Sequence, residues 1–129
     1  MTRHDFDPAT LVRDGRVPAK ARLFDPATAG AWRGFVNGEM FEGPVTVLAY
    51  GNDTPGEGPR LHVHPYDETF IVIRGRARFF VGDSVIDAEA GEVVLGPKAV
   101  PHRFENLGPG RLQTIDIHHS PRWIQADLD

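Results

Sequence analysis

From Gly43 onward, short apolar and β-branched runs alternate with clusters of Gly, Pro, Asn and Asp. Residues 45–50 read as a strand, and residues 51–59 as the loop that follows it. Further strands are predicted over 61–64, 69–74, 77–81, 84–87, 92–95, 102–106 and 111–117. Gly75 ends one of them, Gly82-Asp83 makes a hairpin turn, and Gly96-Pro97 stops another. Leu107-Gly108-Pro109-Gly110 separates the last two. Regular short strands with Gly/Pro breaks point to an all-β sandwich or barrel.

Residues 1–42 lack this rhythm and read as an irregular arm with one or two edge strands. Asp25-Pro26-Ala27-Thr28 opens a helical turn, because Pro suits the first helical position. Phe-Asp-Pro-Ala-Thr occurs at Phe6–Thr10 and again at Phe24–Thr28, too short a match for a repeat unit. It reads as two similar turns or a coincidence. The expected organisation is an arm over 1–42 and a barrel over 43–129.

A length of 129 residues fits one domain and leaves no room for a second core. Apolar residues at 40% and charged residues at 25% match a folded globular chain, not a disordered one. The 14 Gly and 11 Pro favour many turns over long helices. A formal charge of −4 without a Lys/Arg run argues against nucleic acid or an anionic membrane as partner. Arg76 and Arg78 read as a solvated strand face. With no cysteine, a disulfide framework and a thiolate metal site are both excluded. The first seven residues hold no apolar leader core, and no stretch approaches the ~18 apolar residues of a membrane span. Cytoplasmic residence is the expectation.

The chemistry concentrates in His62-Val63-His64 and the residues after it. Alternate side chains of a strand share a face, so the two imidazoles point the same way, roughly 6.6–7 Å apart along the strand. Pro65-Tyr66-Asp67 turns the chain, and Glu68 opens the next strand beside the first. Its carboxylate can then join both rings on one ion. A fourth ligand has to come from elsewhere in the barrel. His102 opens a later strand, just after the turn over 97–101.

Gly56-x5-His62-x-His64-x3-Glu68-x6-Gly75 resembles the first motif of the cupin superfamily, and Gly91-x5-Pro97-x-Ala99-x2-His102-x3-Asn106 resembles the second. The resemblance spans residues 56–106. It implies a double-stranded β-helix, the cupin form of the jelly roll, with one divalent ion held by His62, His64, Glu68 and His102. It also implies a homodimer, as is common among small bacterial cupins. The family usually carries Gly where this chain has Ala99, so a slightly different backbone is expected there.

Strand parity assigns the remaining positions. Glu68, Phe70 and Val72 should face inward with His62 and His64, as should His102, Phe104 and Asn106. Ile71 and Ile73 then point out and need cover from the arm or a partner subunit. Asp116 and His118 share a face, and Ile115, Ile117 and His119 share the other, but parity does not say which is interior. His118 is read first as a strand-end histidine and second as a residue of the pocket mouth. Arg60 and Tyr66 are candidates for recognising an anionic substrate, since Arg matches carboxylates in a fork geometry. Arg103 should point away. Phe70, Phe80 and Phe104 read as barrel filling, Trp32 and Trp123 as packing of arm and tail, and His4 has no inferred role. The candidate substrate pocket is therefore Arg60, Tyr66, Phe70, Phe104 and His118.

Three imidazoles and a carboxylate around a divalent ion carry net charge +1 and suit Fe, Mn, Ni, Zn or Cu without selecting among them. Four protein ligands leave positions for water or substrate. The expected function is a metal-dependent enzyme, of dioxygenase or isomerase type, acting on a small organic molecule. The alternative is a non-catalytic metal- or ligand-binding cupin serving as sensor, store or structural barrel.

Overall fold

A computed structural model describes residues 2–129. Ten strands form: β1 (Gly34–Val36), β2 (Thr46–Asn52), β3 (His62–Val63), β4 (Glu68–Arg74), β5 (Arg76–Val81), β6 (Ser84–Glu89), β7 (Val93–Gly96), β8 (His102–Asn106), β9 (Leu112–His118) and β10 (Ala126–Asp127). They make two five-stranded antiparallel sheets, ordered β1-β2-β9-β4-β7 and β10-β3-β8-β5-β6. The chain passes repeatedly from one sheet to the other, which gives the jelly-roll form expected from the motifs. Each predicted strand is present with its ends moved by at most two residues. Among the described residues, no helix is long and apolar enough to cross a membrane.

The two Phe-Asp-Pro-Ala-Thr stretches do form similar turns. In each, the Thr backbone N–H donates to the Asp carbonyl three residues earlier, at 3.0 Å for Thr10–Asp7 and for Thr28–Asp25. Residues 2–22 are exposed throughout. β1 is the edge strand anticipated in this zone, pairing Phe35 with Leu48 of β2.

Inward parity on β4 and β8 is as the alternation predicted: Glu68, Phe70, Val72, His102, Phe104 and Asn106 are all buried. Phe70, Phe79, Phe104, Val72, Ala77 and Leu112 belong to one apolar cluster between the sheets. Asn106 is buried beside it because its amide closes the following loop. It donates to Asn52 Oδ1 at 3.1 Å and to the Gly110 carbonyl at 2.8 Å, and accepts from the Gly108 N–H at 2.7 Å. Outside, Arg78 pairs with Asp87, its cross-strand partner, at 2.8 Å, and Arg103 lies over the Phe80 ring at 4.0 Å. Both are the solvated strand faces that parity implied.

Two expectations need correction. Ile71 is half-buried, but Ile73 stays 44% exposed, which overturns cover by the arm and leaves the partner subunit, the other cover expected. Beside it on β7, Val93 and Leu95 are also exposed, at 63% and 56%. The second concerns Ala99, whose φ of 64° is the left-handed conformation that glycine adopts freely. The backbone at Ala99 has therefore not moved to suit a side chain. Its N–H donates to the His64 carbonyl at 3.0 Å, and that bond holds the alanine in the strained well.

Substituting Ala99→Gly should relieve this strain and stabilise the protein by about 1 kcal/mol. Urea unfolding of the two proteins side by side measures it. No change, or a loss, would show that Ala99 sits there without strain.

Candidate metal centre

β3 lies between β10 and β8, and His62 stands directly opposite His102 in that pairing. His64 follows two residues later on the same face. In the facing sheet Glu68 starts β4, with Gly96 of β7 on one side and His118 of β9 on the other. The barrel thus brings one end of each sheet to a common point. His62, His64, Glu68 and His102 each offer a ligand atom there, all within 4.8 Å of one another, and all four residues are buried. His4 and His119 do not join them. His119 is exposed and meets Thr69 Oγ1 at 2.8 Å.

Backbone carbonyls set which nitrogen of each ring faces inward. His62 Nδ1 meets the Arg60 carbonyl, and His64 Nδ1 meets the Ile124 carbonyl at 2.8 Å. A carbonyl can only accept, so each Nδ1 carries the proton and each Nε2 presents a lone pair in the neutral ring. Burial, followed by the neighbouring imidazoles of His102 and His64, pushes His62 below its ordinary value and keeps that ring neutral. Gly58, in the loop leading to β3, lets this segment lie against β8. A Cβ there would fall 1.7 Å from the Phe104 carbonyl oxygen. Gly96 likewise backs the His102 ring, where a Cβ would come within 3.2 Å of Nδ1.

Burial alone would push the Glu68 carboxyl up. Contacts from His102 and His118 outweigh it and hold the group ionised, well below the usual carboxylate range. His64 Nε2 lies 3.0 Å from Glu68 Oε1, yet it is buried without a hydrogen-bond partner. Two lone pairs then face one another at contact distance with no proton between them. A cation resolves that repulsion. His102 Nε2, 3.1 Å from the same oxygen, completes the set. Three nitrogens and one ionised oxygen on such a point suit a divalent ion of borderline hardness.

His118 ends β9 as expected, and it lines the cavity as well. It is 2% exposed and faces inward, with Nε2 3.2 Å from Glu68 Oε2. Its Nδ1 is 2.7 Å from the Tyr66 hydroxyl, which also accepts the Ile124 N–H at 3.0 Å. With Glu68 ionised, Nε2–H donates to Oε2 and Nδ1 accepts the Tyr66 proton. The chain Ile124–Tyr66–His118–Glu68 therefore orients the carboxylate. Tyr66 belongs to this buried relay and not to a surface for anions. Arg60 is exposed at the mouth of the adjoining cavity, and its carbonyl contributes more to the site than its guanidinium.

That cavity has a volume of about 550 Å³ and opens on His62, Glu68 and His118. Phe70 and Phe104 line it and belong to the core as well. Tyr50, Phe35 and Trp123 add further aromatic wall, and Trp123 is a pocket residue as well as a packing one. Asp116 also lines it, a buried carboxyl that the sequence reading did not single out. Burial, then the charge of Glu68, pushes Asp116 well above its ordinary value.

The family model of the Cupin domain matches residues 51–118, more than half of the chain. Protein SchB of Streptomyces halstedii is 36% identical over 125 residues, covering 96% of this chain and 79% of that protein. Among solved structures, a mutant of Bacillus subtilis oxalate decarboxylase OxdC superposes with a TM-score of 0.67 at 25% identity, over 74% of this chain. The same enzyme, in a structure used to assign the EPR parameters of its Mn(II) centres, matches equally well. This chain covers 27% of the decarboxylase chain, so the likeness concerns part of a larger protein. Together with the ring of imidazoles about Glu68, these matches show that the chain belongs to the cupin family.

Proposed function

We propose that this cupin is a metal-dependent enzyme acting on a small organic molecule, with His62, His64, Glu68 and His102 holding one divalent ion. The observation that carries the reading is the cavity. A purely structural ion needs a closed shell, whereas here a space of about 550 Å³ reaches His62 and Glu68 directly. When bound, the ion supplies Lewis-acid polarisation of a substrate oxygen, with redox chemistry added if it is Fe, Mn or Cu. The Arg60 and Ile124 carbonyls keep His62 and His64 in the ligating tautomer, and His118 holds Glu68 in place. The aromatic walls exclude water and orient a flat substrate. Mn(II) in the decarboxylase makes manganese a reasonable first metal to test.

A non-catalytic binding cupin would show the same ion and cavity but no turnover. Protein purified without a nickel column and assayed for its metal, then for O2 uptake with phenols, diketones and amino-acid derivatives, separates the two. An enzyme consumes O2 or converts at least one class only when loaded with metal. A loaded protein that turns over none of them, and whose metal spectrum no compound perturbs, contradicts the catalytic reading.

We also propose a homodimer joined through the outer face of the sheet containing β4 and β7. Ile73, Val93 and Leu95 form an exposed apolar patch there, and Thr69↔Leu95 and Ile71↔Val93 pair in register. Leu95→Lys should shift the protein from dimer to monomer in light scattering behind size-exclusion chromatography. A wild-type protein that already runs as a monomer rejects the proposal.

The ligand set predicts that His62→Ala and His102→Ala each remove most of the bound metal and that His119→Ala removes none. Equal metal content in all three variants contradicts the assignment. Protons compete with the ion for the same lone pairs, so acid should release it. His62 lies below the ordinary imidazole value and Glu68 below the ordinary carboxylate value, so both stay deprotonated to lower pH than usual. Occupancy should therefore be complete at pH 7 and be lost between about pH 6 and 4. Metal analysis after dialysis at each pH reads this directly, and occupancy that rises with acid excludes the site.

A further inference from the structure

The fold gives no structural reason for a carboxyl at Asp116. The residue is 4% exposed, and its Oδ1 has no hydrogen-bond partner. Its cross-strand neighbours are Leu48 on β2 and Phe70 on β4, neither of which can donate or accept through a side chain. His118, two residues along the same face, already has both nitrogens engaged by Tyr66 and Glu68. Thr114, two residues the other way, is buried with no other partner for its Oγ1, and its contact with the carboxyl lowers Asp116 less than burial raises it and leaves Oδ1 unmet. Leaving a buried acceptor unmet is among the more destabilising things a core can hold. An apolar side chain would serve the barrel better at this position.

Asp116 does face somewhere useful. It lines the cavity that opens on the metal centre, beside Leu48, Tyr50, Phe70 and Phe104, in a lining that also holds Arg33, Glu57, Arg60 and Gln125. Tyr50 and Phe104 meet edge to face at 5.1 Å, and Phe35 and Trp123 do so at 5.3 Å near the mouth. Such walls favour a flat ring. Successive same-face residues on β9 are about 7 Å apart, so Asp116 lies about one step along the strand from His118 and the Glu68 beside it. A ring set between the two has room for one oxygen at the ion and another at the carboxyl.

We infer that Asp116 is the second anchor of this cavity, hydrogen-bonding a hydroxyl of an aromatic ligand whose other oxygen reaches the metal centre. The substrate class is thereby narrowed to rings bearing at least two separated oxygens. The inference rests on the metal-site reading above, and gives Asp116 the role of a specificity-determining residue. A site that holds a hydroxyl with an otherwise unpaired group rejects the analogue lacking it, because the group is then left buried and unmet.

The test uses the 129-residue chain loaded with Co(II), titrated with resorcinol and with phenol while the visible bands of the ion are followed. The wild type should bind resorcinol about tenfold more tightly than phenol, the worth of one buried hydrogen bond. Asp116→Val should abolish that preference, bind phenol as before, and keep its cobalt. It should also melt no lower than the wild type, since it removes an unsatisfied group. Asp116→Asn, which preserves shape and one acceptor oxygen, should retain part of the preference and guards against a folding defect in the valine variant. A wild type that takes up no cobalt rejects the metal reading itself. Cobalt retained with equal affinity for the two phenols, with no binding of either, or with a preference that survives Asp116→Val, overturns the role of Asp116 alone. Marked destabilisation of both variants would show the carboxyl to be structural and overturn it as well.

Discussion

The site depends on two backbone carbonyls. Arg60 and Ile124 take the Nδ1 protons of His62 and His64, which leaves both Nε2 lone pairs free for the common point and sets that of His64 against the Glu68 carboxylate. Without those carbonyls each ring could turn or exchange tautomers and satisfy Glu68 by donating to it. With them, like partial charges are gathered in a dry place and a cation is the natural counterpart. The carbonyl of Ile124 lies just ahead of β10, which pairs with β3, and its N–H also anchors Tyr66. The C-terminal segment is thereby part of the metal centre, although it contributes no ligand.

The barrel interior holds an apolar cluster toward one end and a polar site at the other. Phe79, Ala77, Val72 and Leu112 belong to the cluster, with Asn52, Asn106 and Thr114 buried beside it. At the other, His62, His64, Glu68, His102, Asp116 and His118 are buried together. A polar group in a core is tolerated when it is matched, and the imidazoles and Glu68 match one another through the ion they are shaped to hold. Phe70 sits on the border, edge-on to His102 at 5.3 Å and tilted against Phe79 at 5.0 Å. The apolar end gives the rigidity that keeps the polar end in register.

Much of this was legible in the sequence. His62-x-His64 followed by Glu68 gives three ligands from local spacing alone, and alternation then fixed the facing of Phe70, Val72, Phe104 and Asn106. The second motif brought in His102. Strand β9 was harder, because Thr114, Asp116 and His118 form a polar face while Ile115 and Ile117 form an apolar one. The usual rule turns apolar residues inward, but here the polar face is buried, since the interior at this end is a binding cavity. Backbone groups such as the Ile124 carbonyl have no signature in a sequence at all. Trp123 could have been found only by knowing that the tail folds back over the cavity, a tertiary fact. Ala99 misleads in the opposite direction, because its side chain points to an altered backbone while its φ stays in the left-handed region, with its N–H bonded to the His64 carbonyl.

X-ray absorption at the edge of whatever metal accompanies the purified protein tests the central claim most directly. The expected spectrum shows three imidazole nitrogens and one carboxylate oxygen at about 2.0–2.2 Å, with one or two further light atoms. A first shell without imidazole scattering, or protein that stays metal-free when offered each of Mn, Fe, Ni, Zn and Cu, would contradict the account.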